Sequence, residues 1–211
     1  MKKAILAGIV SVALTFGTVG GVFADGLFDL KSGPTEQKNT VFVDVGTFFT
    51  YLIAGGFGGG VGFERSFGDS FSGLIHAAAG GYTYTAYLGN TPSAFAFQID
   101  VHGRWYFFKT ALDKLFLDVG LGYDFYSYTN KYTDIDYWTG ERETVDAGYN
   151  TSALTISPML GWKFILGKGF VIEPAFGYTI GIGLDSPTIY GGATTYSASR
   201  FNIGLGLGWA F

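Results

Sequence analysis

The sequence predicts an all-β fold, an eight-stranded antiparallel up-and-down barrel that crosses a membrane with its strands. Three observations carry that expectation. Of the 211 residues, 48% are hydrophobic and only 14% are charged, where an ordinary soluble domain has about a quarter charged. Beyond residue 24 no apolar run is long enough for a membrane helix. Large apolar residues instead alternate with small or polar ones, the period of two that sends successive strand side chains to opposite faces.

The alternation is clearest from Phe95 to Phe107, where Phe95, Phe97, Ile99, Val101, Trp105 and Phe107 share one face. Gln98, Asp100, His102, Arg104 and Tyr106 share the other. Leu115–Tyr128, Leu154–Phe164, Phe170–Leu184 and Phe201–Phe211 repeat the pattern. Thr40–Thr50, Phe57–Phe67 and Phe71–Thr85 are weaker. Within the last of these, Ala77–Gly81 does not alternate, and a bulge is expected there. Each strand has about the 9–11 residues that a tilted membrane strand needs. Pro158 and Pro174 cannot donate to a ladder, so pairing should be interrupted at both.

Connections alternate in length. Gly68–Ser70, Phe108–Lys114 and Ile165–Gly169 are short, whereas Thr129–Asn150 and Asp185–Ala198 are long. Three strands end alike, in Trp105-x-Phe107, Trp162-x-Phe164 and Trp209-x-Phe211, with both rings on the apolar face beside the short turns or the C-terminus. A soluble sandwich has no reason to repeat an outward Trp at one height. A membrane barrel has one, because indole rings favour the headgroup boundary. Tyr84, Tyr87, Tyr126, Tyr128 and Tyr178 gather toward the opposite ends.

The closing Gly-Trp-Ala-Phe, after alternating apolar residues, resembles the C-terminal signal of bacterial outer-membrane barrels. The pattern from Thr40 to Phe211 is similar to the small OmpA/OmpX/OmpW-like barrels. That resemblance implies a location in the cell outer membrane, contact with its lipids, and recognition of Phe211 by the barrel-assembly machinery. It implies little about activity.

The N-terminus reads as an export signal. Lys2 and Lys3 precede uncharged Ala4–Ala24, and Val22-Phe23-Ala24 fits a cleavage site. The expected organisation is a signal peptide over 1–24, a periplasmic segment over 25–39 and the barrel over 40–211. Without cysteine the chain has no disulfides and no lipoprotein anchor. Without Lys2 and Lys3 the basic residues fall from 13 to 11 against 17 acidic ones, which argues against nucleic-acid binding.

The opposite strand face would line a narrow lumen with Asp44, Glu64, Gln98, Asp100, His102, Arg104, Asp118, Asp124, Lys163, Glu173, Arg200 and Asn202. An eight-stranded ring is just wide enough for side chains to fill it, and confined charges must pair. The expected network comprises Arg104, Asp118, Glu64, Glu173 and Lys163, closing the lumen. Matching outward Phe107 with outward Leu115 fixes one register, because a one-residue slip would reverse every side chain. Arg104 then falls opposite Asp118, and Gln98 opposite Asp124.

The long loop Asn130–Tyr149 sets five carboxylates against Lys131 and Arg142, with Tyr132, Tyr137 and Trp138 among them. Tyr132, Asp134, Asp136, Tyr137 and Trp138 are candidates for recognising an extracellular ligand or host protein, since exposed aromatics among charges suit recognition. The alternative is a solvated loop or a β-extension above the membrane. His76 and His102 raise a lipid-modifying enzyme. His76 is followed by three alanines, and His102 has Arg104 next on its face, so no catalytic residue is assigned. No metal site and no cofactor are expected, because two histidines and no cysteine do not make a transition-metal site and the acidic loop lacks calcium-ligand spacing. The leading reading is a monomeric barrel with a structural or surface-interaction role. A narrow conduit for small or hydrophobic solutes is the alternative, and a lipid-modifying enzyme comes third.

Overall fold

The computed structural model describes residues 37–53, 55–83, 91–108, 111–135, 138–184 and 199–211, with the backbone alone at 91, 132–135, 143 and 145–147. The described strands are β1 (Asn39–Asp44), β2 (Gly56–Ser66), β3 (Phe71–Thr83), β4 (Thr91–Tyr106), β5 (Lys114–Ile135), β6 (Arg142–Leu166), β7 (Phe170–Gly183) and β8 (Arg200–Ala210). They pair in sequence order, and β1 closes antiparallel on β8 to complete the ring. The eight-stranded antiparallel barrel expected from the sequence is therefore the fold.

Closure follows from where the strands are. Lipid offers no partners to backbone N–H and C=O groups, so a spanning sheet must pair both edges of each strand. The chain end is tied into that closure. The Phe211 carbonyl accepts from the N–H groups of Lys38 and Asn39 at 3.1 and 2.9 Å, and the Phe211 N–H donates to Asn39 at 2.9 Å.

The faces sort as the alternation demands. Val61, Ile75, Val101, Val119 and Leu121 point outward and are exposed, Leu121 at 61%. Asp100, Asp118 and Glu173, on the other parity, are buried inside. Glycines on the inner face make room for rings. A Cβ at Gly62 would run into Phe42, and one at Gly161 would run into Phe116. Outward Trp105 lies tilted against Phe107 with ring centres 4.7 Å apart, and Trp162 stacks beside Phe164 at 5.9 Å. Trp209 is exposed on the same outward face.

Three details depart from or refine the sequence reading. Thr40–Thr50 is not one strand, because β1 stops at Asp44 and a helix, α1 (Val45–Ile53), follows. Asp44 caps it, accepting the Thr47 N–H at 3.0 Å and the Thr47 hydroxyl at 2.5 Å. The bulge expected at Ala77–Gly81 is absent, since β3 keeps one register with β2 and β4 straight through it. Ala and Gly blur the alternation there without moving the backbone. The ladder between β6 and β7 holds one register but loses pairs around Pro158 and Pro174, where no N–H can be donated.

Short turns join β2 to β3, β4 to β5 and β6 to β7 at one end of the barrel. Gly167 and Gly169 take positive φ in the last of them, and Leu112 and Lys114 do so in the second. At the other end β5 and β6 stay paired out to Ile135↔Arg142, past the last β4 partner at Lys131. The loop expected over 129–150 is thus largely a β-extension. Residues 1–36, the long connection expected over 185–198, and Tyr84 and Tyr87 among the tyrosines expected toward the opposite ends lie outside the described residues.

A charge on the outward face tests this orientation. Leu121→Arg should destabilise the barrel in lipid by about 2–4 kcal/mol, read from reversible urea unfolding in vesicles. A loss under 0.5 kcal/mol would place Leu121 away from lipid.

Candidate functional site

The inner face gathers a charge cluster near the short-turn end. The register between β4 and β5 sets Arg104 opposite Asp118. Arg104 Nε donates to Asp118 Oδ2 at 2.7 Å, Nη1 to Glu64 Oε2 at 2.8 Å, and Nη2 lies 2.8 Å from Glu173 Oε1. The guanidinium also sits over the Phe116 ring at 4.5 Å. Lys163, from β6, contacts Glu64 and lies 2.9 Å from Glu173 Oε2. The Tyr106 hydroxyl donates to Glu64 at 2.6 Å, and the Ser72 hydroxyl also donates to it. All five residues singled out in the sequence for an internal network meet in this cluster.

The cluster is dry. Glu64 and Lys163 are 0% exposed, and Tyr106 and Phe116 are equally buried. Charges here gain from low dielectric but must be fully paired to offset desolvation. Two cations face three carboxylates, and His102 Nδ1, 2.6 Å from Asp118 Oδ1, supplies the remaining polar partner.

Above it the lumen widens. His76 stands between two carboxylates, 3.6 Å from Asp44 Oδ2 and 3.3 Å from Asp100 Oδ2. Gln98 donates to Asp100 at 2.7 Å. Arg200 donates to Asp124 at 2.6 Å and to Gln98 at 2.9 Å. These groups border a cavity of about 450 Å³. Sequence reasoning put Asp44, Gln98, Asp100, Asp124 and Arg200 on the inner face but neither placed His76 there nor joined it to Asp44 and Asp100. Those partners come from different strands, and the register between β3 and β4 is not set by a short turn.

The surface residues fare differently. Trp138 is fully out in solvent at the tip of the β5–β6 extension. Tyr132 and Asp134 lie on β5, where the backbone alone is described. Asp136 and Tyr137 lie outside the described residues. Among the described residues no group of three or more His, Cys, Asp or Glu side chains is arranged to hold a metal.

A closed antiparallel ring with an apolar outer face, an aromatic girdle and a charged interior defines an outer-membrane β-barrel protein. Residues 53–182 match the autotransporter β-domain family, and the chain belongs to it. Among solved structures it is similar to Ail, the attachment invasion locus protein of Yersinia pestis, with a TM-score of 0.50 at 10% identity over 83% of this chain and 99% of that one. The same Yersinia protein in complex with the heparin analogue sucrose octasulfate gives 0.48 at 10% identity over 83% and 97%. The translocator domain of autotransporter NalP from Neisseria meningitidis gives 0.41 at 15% identity over 96% and 68%. Comparison with curated protein sequences gives no match.

Removing the central cation should expose its role. Arg104→Gln leaves Glu64, Asp118 and Glu173 short of a buried partner and should cost about 3–5 kcal/mol of stability. Adding Asp118→Asn should recover part of that loss. Strictly additive losses in the double-mutant cycle would deny the coupling.

Proposed function

We propose that this outer-membrane barrel is a non-conducting, monomeric surface-interaction protein, closed in the half of its lumen next to the short turns. The observation that carries the reading is the Arg104 cluster, in which Glu64 and Lys163 are wholly buried. A conduit would have to pass that layer, and water or solute would have to replace contacts of 2.7–2.9 Å. The β5–β6 extension is the surface element. Between Asn130 and Tyr149 it sets Asp134, Asp136, Glu141, Glu143 and Asp146 against Lys131 and Arg142, which suits a basic protein surface.

Planar bilayers test the closed lumen. The purified full chain should give no steady ion current, and open-channel currents that change on Asp118→Asn would contradict the reading. Peptide binding tests the surface role. Full chain in nanodiscs should be retained by immobilised lysine-rich peptides and not by glutamate-rich ones. Replacing Thr133–Thr144 with an Asn-Gly turn should abolish that retention, and retention surviving the change would remove the role assigned to the extension.

A further inference from the structure

The tip of the β5–β6 extension carries a side chain that the membrane does not explain. Lipid accounts for the exposure of Leu121 at 61% and Phe176 at 53%, which lie on the outward wall. Trp138 is 91% exposed and stands above the barrel rim. Its strands hold it there. β5 and β6 remain paired to Ile135↔Arg142, about 13 Å of strand beyond the last β4 partner at Lys131. On the other side, β6 pairs with β7 no farther than Ala153↔Gly183 among the described residues. The turn itself is tight. Gly140 takes a φ of 72°, and the Glu141 N–H donates to Thr139 Oγ1 at 3.3 Å. A paired ladder and a short turn present the indole with little conformational freedom to lose on binding, as a recognition anchor requires.

Charge narrows the choice of partner. Between Ile135 and Thr144 the charged residues are Asp136, Glu141 and Glu143 against Arg142 alone. Glu141 is exposed, three residues after Trp138. A bilayer or a purely apolar pocket that covered the indole would also strip water from nearby carboxylates without pairing them, at a cost. A lysine ammonium would pair them, but it is compact and strongly hydrated. An arginine guanidinium is planar and weakly hydrated, stacks on aromatic faces and forks onto a carboxylate. An exposed indole among carboxylates therefore fits arginine better than either alternative.

We propose that the tip of the β5–β6 extension binds an arginine side chain of a protein partner, with the guanidinium stacked on Trp138 and paired with Glu141. The proposal rests on the surface-interaction role and names the group that the partner must present. The acidity of the extension draws basic surfaces in general, and Trp138 selects arginine among them.

Anisotropy of fluorescein-labelled peptides, titrated with the full chain in nanodiscs, tests the site. The peptides share one glycine–serine background and carry arginine, lysine or uncharged citrulline at the same positions. The arginine peptide should bind about threefold tighter than the lysine peptide, and the citrulline peptide should not bind. Trp138→Leu keeps an apolar side chain without an aromatic face and should bring the arginine peptide down to the lysine value. Trp138→Tyr should keep part of the preference. Glu141→Gln should weaken the arginine peptide about threefold. Heat-dependent gel mobility should be unchanged in all three variants, because both side chains are exposed beyond the barrel wall. Equal binding of the arginine and lysine peptides, or a preference that survives Trp138→Leu, would overturn the arginine site and leave the extension as a general binder of basic surfaces. Binding of neither peptide would overturn the surface role together with the site. Binding of the citrulline peptide would assign the tip to an apolar partner, and co-flotation of the nanodiscs with protein-free phosphatidylcholine vesicles would assign it to a bilayer, each overturning the arginine site.

Discussion

Inside a bilayer, every backbone donor and acceptor has to find its partner within the protein, and each strand here is placed by that demand. The eight strands close β1 on β8, and the last carbonyl is held by Lys38 and Asn39. Closure in turn creates a narrow interior, and where side chains fill it, next to the short turns, they must satisfy one another. The same rule explains why a departure from strand pairing is informative. Where β1 stops at Asp44, a capped helix, whose own backbone bonds are internal, takes over the wall.

The interior divides into two layers of different character. Next to the short turns, Arg104 is shared by Asp118, Glu64 and Glu173, and aromatic rings fill the space that Gly62 and Gly161 leave. Each contact there depends on the others, because removing one ion strands its partners in low dielectric. Farther along, small residues such as Ala78 and Gly204 border volume that side chains do not fill completely. The polar groups of that upper layer form one open chain, from Asp44 through His76, Asp100, Gln98 and Arg200 to Asp124. The first layer is packed solid, and the second borders a cavity of about 450 Å³.

Most of the barrel was legible because large apolar residues mark the lipid face at every second position. The β4–β5 register was legible for a narrower reason. A short turn and two outward rings left one alignment, and Arg104 does lie opposite Asp118. The helix was not legible, because Val45, Thr47, Phe48, Phe49 and Thr50 are residues that strands also favour. Its one signal was Asp44 three residues before Thr47, a capping pattern too short to outweigh the alternation before it. The false bulge at Ala77–Gly81 came from reading side-chain size where there was little to read. Contacts across the ring, such as Lys163 with Glu64, join strands that are not neighbours, and no local pattern encodes them.

The central claim is a barrel wall made of eight strands except where α1 replaces half of one. Because the chain has no cysteine, a nitroxide can be placed at one position at a time in lipid vesicles, and its access to oxygen and to a water-soluble nickel chelate measured. Along β5, oxygen access should peak at Leu117, Val119 and Leu121 and fall at the positions between them. Along Val45–Ile53 the period should lengthen to that of a helix, with Phe49, Leu52 and Ile53 most accessible to oxygen. A period of two running unbroken from Val41 to Ile53, or no alternation along β5, would contradict the account.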